Sequence, residues 1–289
     1  VTSADDLPIR RLALADLSAC LDLSDDRSWG REEHKWRLLL SAGQGYGIDA
    51  PPDDPVGGLV ATVIRTSYGD QWHAVGMMLV ASRWERRGIG LRLMRHLIAG
   101  AEGVPLLLTA TDNGRPMYER LGFKALGGIT TLTGTFAGDA GDPEAGAGVR
   151  PATAADMPEI LAYDLPAFGA DRTELLTRLA SFANRILVAR APDGRLTGFG
   201  ATWPNVTTTS VGPVLADDPA VARALIARLA TGTATPARLD VADEHPELLS
   251  WAREHGLAPA GRTTLMVLGA PEAPGDPTRR FAPYSMAHG

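Results

Sequence analysis

Residues 83–90 read RWERRGIG; the apolar run VGMMLVAS (75–82) precedes them and LRLMRHLIAG (91–100) comes directly after. A plain turn between a strand and a helix needs one glycine at most and no cations. A strand that feeds straight into a helix leaves the first helical N–H groups unpaired. With the positive end of the helix dipole, they form an anion site. Gly88 and Gly90 let the backbone approach phosphate oxygens with no Cβ in the way. Arg86 and Arg87 can add charge-assisted hydrogen bonds. Leu91, Met94, Ile98 and Ala101 recur at helical spacing, with Arg92 and Arg95 on the opposite face. A phosphate-binding loop is the functional reading, and a tight turn is the structural alternative. The dinucleotide fingerprint is excluded because Leu93 stands where its third glycine belongs. The nucleotide P-loop is excluded because no Gly-Lys-Ser/Thr closes the segment.

The rest of the 289-residue chain bounds the ligand. A hydrophobic fraction of 45% and a charged fraction of 21% describe a globular protein with room for two domains. No apolar run reaches the roughly 20 residues a membrane helix needs, and the first residues do not read as a secretory signal. With Cys20 the single cysteine, an intrachain disulfide is ruled out and a reducing, cytoplasmic setting is expected. The net charge of −6 argues against nucleic acid as a partner. Five arginines between 83 and 95 on an acidic chain point instead to one small anionic ligand. The histidines show no paired ligand spacing, so no metal is expected.

GTFAGDAGDPEAGAGV (134–149) lacks any periodicity and reads as a linker. The residues on its C-terminal side repeat those on its N-terminal side. IRRLALADLSACL (9–21) matches VRPATAADMPEIL (149–161), with Arg10 over Arg150 and Asp16 over Asp156; PMYERLGF (116–123) parallels LSWAREHGL (249–257). Two copies of one unit are the economical explanation. The expected organisation is a first unit over 1–135, a linker over 136–147, a second unit over 148–270 and a tail over 271–289. In the first unit the pattern predicts strands at 9–12, 45–49, 58–67, 72–80, 104–111 and 124–133. Helices are predicted at 16–26, 31–41, 89–101 and 115–121. The fold class is mixed α/β (α+β), with the strands around SYGDQ forming a hairpin.

MMLVASRWERRGIGLRLMRHLI (77–98), followed by LLLTATDNGRPMYERLGF (106–123), resembles the two signature motifs of the GNAT superfamily of acyl-CoA N-acyltransferases. The first is Gln/Arg-x-x-Gly-x-Gly/Ala at a helix start. The second ends in Tyr-x-x-x-Gly-Phe, matched by Tyr118, Gly122 and Phe123. The resemblance covers most of 9–133, and the duplication resembles tandem GNAT proteins, each domain a mostly antiparallel sheet flanked by helices. Glu85 departs from the usual Gln or Arg, and Thr111 stands where many relatives have asparagine.

The resemblance implies a chemistry. Met78, Leu79 and Val80 would line the pantetheine arm of acetyl-CoA as an added strand, and the Val80 N–H would polarise the thioester carbonyl. Arg86, Arg87, Gly88, Ile89, Gly90 and Leu91 would cradle the pyrophosphate, with Thr111 and Tyr118 completing the cofactor site. Tyr118 would be the general acid for the departing thiolate. The base that takes the amine proton stays open among Glu33, His34, Asp70 and His73, with Glu33 and His73 favoured. The expected activity is N-acetyl transfer to a small-molecule amine through a ternary complex, by a monomer or homodimer. The alternatives are protein N-acetylation or a non-catalytic acyl-CoA sensor.

In the second copy, strand VGPVLA (211–216) meets Asp217, Asp218 and Pro219 where the first has arginine and glycine. Two carboxylates at a helix start fill the anion site with the protein's own charge, so no acyl-CoA is expected there. This copy is expected to wall the substrate cleft through 163–172, where Asp164, Phe168 and Arg172 offer mixed chemistry, with core packing the favoured reading of Phe168. Phe281, Tyr284 and Met286 favour a tail that packs rather than floats.

Overall fold

The hairpin at SYGDQ marks the centre of the first half, because strands of nine and ten residues flank it and both are largely buried. The computed structural model describes residues 6–138 and 148–288, so most of the expected linker lies outside the described residues. The first half runs β1 (Ile9–Leu12), α1 (Leu17–Asp26), α2 (Glu33–Ala42), β2 (Gln44–Asp49), β3 (Leu59–Tyr68), β4 (Trp72–Val80), α3 (Ile89–Ala99), β5 (Leu106–Ala110), α4 (Arg115–Arg120) and β6 (Lys124–Gly134). The second runs β7 (Val149–Pro151), α5 (Met157–Phe168), α6 (Thr173–Leu176), α7 (Leu179–Phe182), β8 (Arg185–Arg190), β9 (Leu196–Pro204), β10 (Thr209–Ala216), α8 (Pro219–Ala230), β11 (Ala237–Ala242), α9 (Pro246–Glu254) and β12 (Ala258–Leu268). A last short strand, β13 (Arg280–Ala282), ends the order.

The duplication is visible at atomic detail. Arg10 donates to Asp16 at 2.8 Å, and Arg150 donates to Asp156 at 2.6 Å. In both copies the aspartate also accepts from a backbone N–H three residues earlier, Ala13 or Thr153. That closes the short turn between first strand and first helix.

The strands form one continuous sheet, ordered β1-β2-β3-β4-β5-β12-β6-β11-β10-β9-β8-β7. Among the described residues, only β4–β5 and β10–β11 pair in parallel. The halves exchange their last long strands. β12 pairs with β5 through Thr264↔Ala110 to Leu268↔Leu106, and β6 pairs with β11 through Ala237↔Gly134 to Ala242↔Ile129. β6 and β12 also pair with each other at the centre. Phe136, just past β6, is buried against Trp251 and His255 and belongs to the second half's core.

Helix α3 packs on the first half's sheet through Ile89, Leu93, Met94 and Leu97, none more than 1% exposed. Each such side chain contributes about 1.5–3 kcal/mol by leaving water. Between the halves, Asp164 and Arg172 form a buried two-bond ion pair, and the Arg172 guanidinium lies 3.8 Å from the Phe168 ring centroid. Asp164 and Arg172 are therefore core between the halves and not the cleft wall expected from sequence, while Phe168 packs in the core. The tail packs, as expected: Phe281 and Tyr284 are each 1% exposed.

Candidate active site

Strand β4 is built to part from β5. The register against β3 shifts between Thr62 and Ile64, Met77 takes φ +51°, and the Met77 carbonyl accepts from Thr62 Oγ1 at 2.9 Å. This bulge bends the strand. Parallel pairing with β5 then stops after Val75↔Leu108. Beyond that vertex no strand among the described residues pairs with this edge of β4. The Ala81 N–H donates to the Val60 carbonyl at 2.8 Å, so Val80, opposite Ala61, falls on a non-hydrogen-bonded position. Alternation along an antiparallel pair turns the Val80 and Met78 backbone groups away from β3. They face the gap.

The gap opens into a cleft of about 650 Å³. One wall is β4 from Val75 to Val80. Another is Thr109, Thr111, Asn113, Gly114, Met117 and Tyr118, while Glu85 and Gly90 stand at the loop end. Arg27, Trp29 and Glu32 come from the connection between α1 and α2 and Lys35 from α2, and Arg238, Thr263, Met286 and Ala287 from beyond the linker.

At the loop end, α3 starts at Gly88, whose φ of +79° is the left-handed conformation glycine adopts without a steric penalty. Among the described residues, no side chain caps this helix. Arg86 is also left-handed, at φ +60°, and Arg86, Arg87 and Gly88 are all exposed. The counterpart helix α8 differs at this point: Asp218 accepts from the N–H groups of Ala220 at 2.8 Å and Val221 at 3.0 Å. One helix start is satisfied internally, and the other is left open to an anion. Arg83 is not free to help, because it and Trp84 Nε1 donate to Asp54. Burial pushes the Asp54 carboxyl up, but these donors and the Val56 and Gly57 N–H groups outweigh it and hold the carboxyl well below its usual range. Arg87 lies over the Trp84 ring at 4.5 Å.

Among the residues singled out from sequence, Met78, Leu79, Val80, Gly90, Thr111 and Tyr118 line the cleft together. Ile89 is 1% exposed, so it can offer only its backbone. Leu91 sits half-buried in the first turn of α3. Tyr118 is 7% exposed, and burial raises its phenol above the ordinary value, keeping it protonated at neutral pH. The proposed bases fare differently. Glu33 is exposed and paired with Arg37 at 2.7 Å, outside the cleft lining. His73 is buried in the closed part of β4, and burial and then Arg65 lower its pKa. His34 stacks on Phe182 with centroids 4.2 Å apart, and Asp70 is exposed in the hairpin turn. Two carboxylates line the cleft, Glu32, which Lys35 pairs with, and Glu85, which Arg27 pairs with. Helical phase separates Glu32 from Glu33: Glu32 is four residues before the buried Trp36, and Glu33 four before the exposed Arg37. Cys20 is fully buried and its thiol is pushed up to about 12 by burial, with Asp16 adding to the rise; it is no nucleophile.

Comparison with known proteins decides the family. Residues 49–125 and residues 160–282 each match a model described as an acetyltransferase (GNAT) domain. The chain belongs to the GNAT acetyltransferase family. It is an acyltransferase with two GNAT domains in tandem. The chain is similar to the uncharacterized N-acetyltransferase YitH of Bacillus subtilis (strain 168), 29% identical over 234 residues, which are 80% of this chain and 81% of that one. Its fold is similar to that of a putative acetyltransferase from Pyrococcus horikoshii, with a TM-score of 0.78, 19% identity and coverage of 98% and 96%. It also resembles a tandem GNAT protein from the clavulanic acid biosynthesis pathway, with a TM-score of 0.64, 15% identity and coverage of 92% and 100%.

In the second GNAT domain, the gap matching the β4–β5 cleft is filled by the chain itself. β10 pairs with β11 only at 209–211. Past that vertex, its free edge takes β13, with Val214↔Ala282 and Leu215↔Arg280. Arg279 donates to Asp217 at 2.9 Å beside the α8 start. An arm and its charged end thus already occupy this gap. Among the described residues, no group of three or more His, Cys, Asp or Glu is arranged to hold a metal ion, and no helix is long and apolar enough to cross a membrane.

Proposed function

We propose that the chain transfers an acetyl group from acetyl-CoA to the primary amine of a small molecule, using the N-terminal GNAT domain alone. The observation that supports this most strongly is the contrast between the two helix starts: among the described residues, α3 has no side-chain cap and no strand fills the gap beside it, whereas α8 is capped by Asp218 beside a gap filled by β13. The N–H groups from Arg86 to Leu91 hold the pyrophosphate, and the free edge of β4 at Met78 and Val80 hydrogen-bonds the pantetheine arm. The Val80 N–H serves as a preorganised donor to the thioester oxygen, a contribution of about 3 kcal/mol to the barrier.

The remaining steps fall to side chains of the cleft. The amine nitrogen attacks the thioester carbon, a C–N bond forms and the C–S bond breaks. Glu32 takes the amine proton, directly or through water, and Tyr118 protonates the leaving thiolate. Glu32 and Glu85 line the cleft, each paired with one cation (Lys35 and Arg27), and Arg238 lines it as well, so the charges of the lining do not by themselves select a cationic acceptor. The second domain, over roughly 148–270, serves as support. Incubating the full chain with acetyl-CoA and a panel of amino sugars, polyamines and amino-acid derivatives is expected to release thiol at least tenfold faster with a matching amine than with none. Slow release that no amine accelerates would instead favour a non-catalytic acyl-CoA sensor.

A further inference from the structure

Met286 and Ala287 reach the first domain's cleft from the far end of the sequence, along a route the fold defines. β13 lies in the second domain's strand gap, where a Cβ at Gly212 would run into the Pro283 carbonyl. The Tyr284 carbonyl then accepts from Trp203 Nε1 at 3.1 Å. Residues Ser285–His288 form a turn closed by the His288 N–H to the Ser285 carbonyl at 2.9 Å and by Ser285 Oγ to His288 Nδ1 at 2.7 Å. The turn is tied to the first domain by Thr109 Oγ1, which donates to the Met286 carbonyl at 2.7 Å, and by the Tyr68 hydroxyl, which donates to the His288 carbonyl.

This turn sits at the vertex where β4 and β5 part. A Cβ at Gly76, the residue after the last parallel pair, would come within 2.6 Å of the Ala287 Cβ and 2.9 Å of its Cα. Gly76 and Gly212 hold equivalent places, each directly after the last residue that pairs in parallel. The same segment therefore fills one gap with a strand and closes the inner end of the other with a turn.

We propose that Met286 is the end stop of the acyl site and sets the length of acyl chain the enzyme accepts. The inference rests on the acyl-CoA reading of the N-terminal domain. Phosphates at the start of α3 and an arm along Val80 and Met78 direct the acyl group toward Gly76, and Met286 and Ala287 line the cleft there. The Met286 backbone is fixed by Thr109, whereas its half-buried side chain is unbranched and unbonded, so its length defines the space left for carbon atoms.

Titrating the full chain with coenzyme A, acetyl-CoA and butyryl-CoA tests this, alongside Met286→Ala and Met286→Phe. The unsubstituted chain should bind butyryl-CoA at least tenfold more weakly than acetyl-CoA, in line with the discrimination a closed apolar pocket gives per methylene. Met286→Ala should bring the two within about threefold of each other, and Met286→Phe should weaken acetyl-CoA about tenfold, coenzyme A itself binding all three forms equally. If coenzyme A binds but the acetyl-to-butyryl ratio shows no preference in the unsubstituted chain, or does not move in either variant, the end stop is overturned while the acyl-CoA site stands. If coenzyme A does not bind the unsubstituted chain, the acyl-CoA reading itself fails.

Discussion

Gly88→Asp is expected to weaken acetyl-CoA binding by roughly 100-fold while leaving the protein folded. The substitution gives the first domain what the second already has, a carboxylate at the start of the helix after the splayed strand. A Cβ at Gly88 meets nothing within 4 Å, so the side chain has room. The left-handed backbone at φ +79° costs an aspartate about 1–2 kcal/mol, and aspartate tolerates that region better than most residues. A new charge about 5 Å from a phosphate costs about 3 kcal/mol at an effective dielectric of 20, which corresponds to the stated loss. The check is titration calorimetry at low and moderate salt, with a melting curve for each protein. The penalty should shrink as salt rises, because the loop is exposed and screening acts on it. Unaltered affinity in a folded variant would place the phosphates elsewhere.

Tyr118→Phe is expected to lower kcat by roughly 100-fold, the lower end of what a general acid contributes, since a thiolate leaves more readily than an alkoxide. Acetyl-CoA affinity should stay within about threefold, because phenylalanine keeps the ring that packs on Phe123 with centroids 5.8 Å apart. Burial already raises the phenol above its usual value, so the acid remains protonated across the whole neutral range. The alkaline limb of the unsubstituted enzyme's kcat profile should therefore show no loss attributable to this group below about pH 10. A variant that keeps kcat and loses cofactor affinity would make Tyr118 a packing residue of the cofactor wall.

Much of this was legible because it rests on local signals. The hairpin at SYGDQ, the strand–loop–helix unit around RWERRGIG and the Arg10–Asp16 and Arg150–Asp156 turns each depend on residues close in sequence. The exchange of β6 and β12 was not legible. Both strands are half exposed and eleven residues long, and both carry a Thr-Thr pair near the middle, so neither side-chain pattern selects a partner across the linker. Asp164 and Arg172 look like site residues by type. Only the fold shows the two charges answering each other in the core. Glu32 could have been preferred to Glu33 from its phase relative to Trp36. The arrival of Met286 at the first domain's cleft could not, since no local pattern tells where a packed tail ends.

The central claim is that one of two homologous gaps is open to acyl-CoA and the other is closed by the chain's own β13. Isothermal titration of the 289-residue chain with acetyl-CoA tests it most directly. One saturable site per chain, lost in Gly88→Asp, is the predicted result. Two sites of similar affinity, or none, would contradict the account.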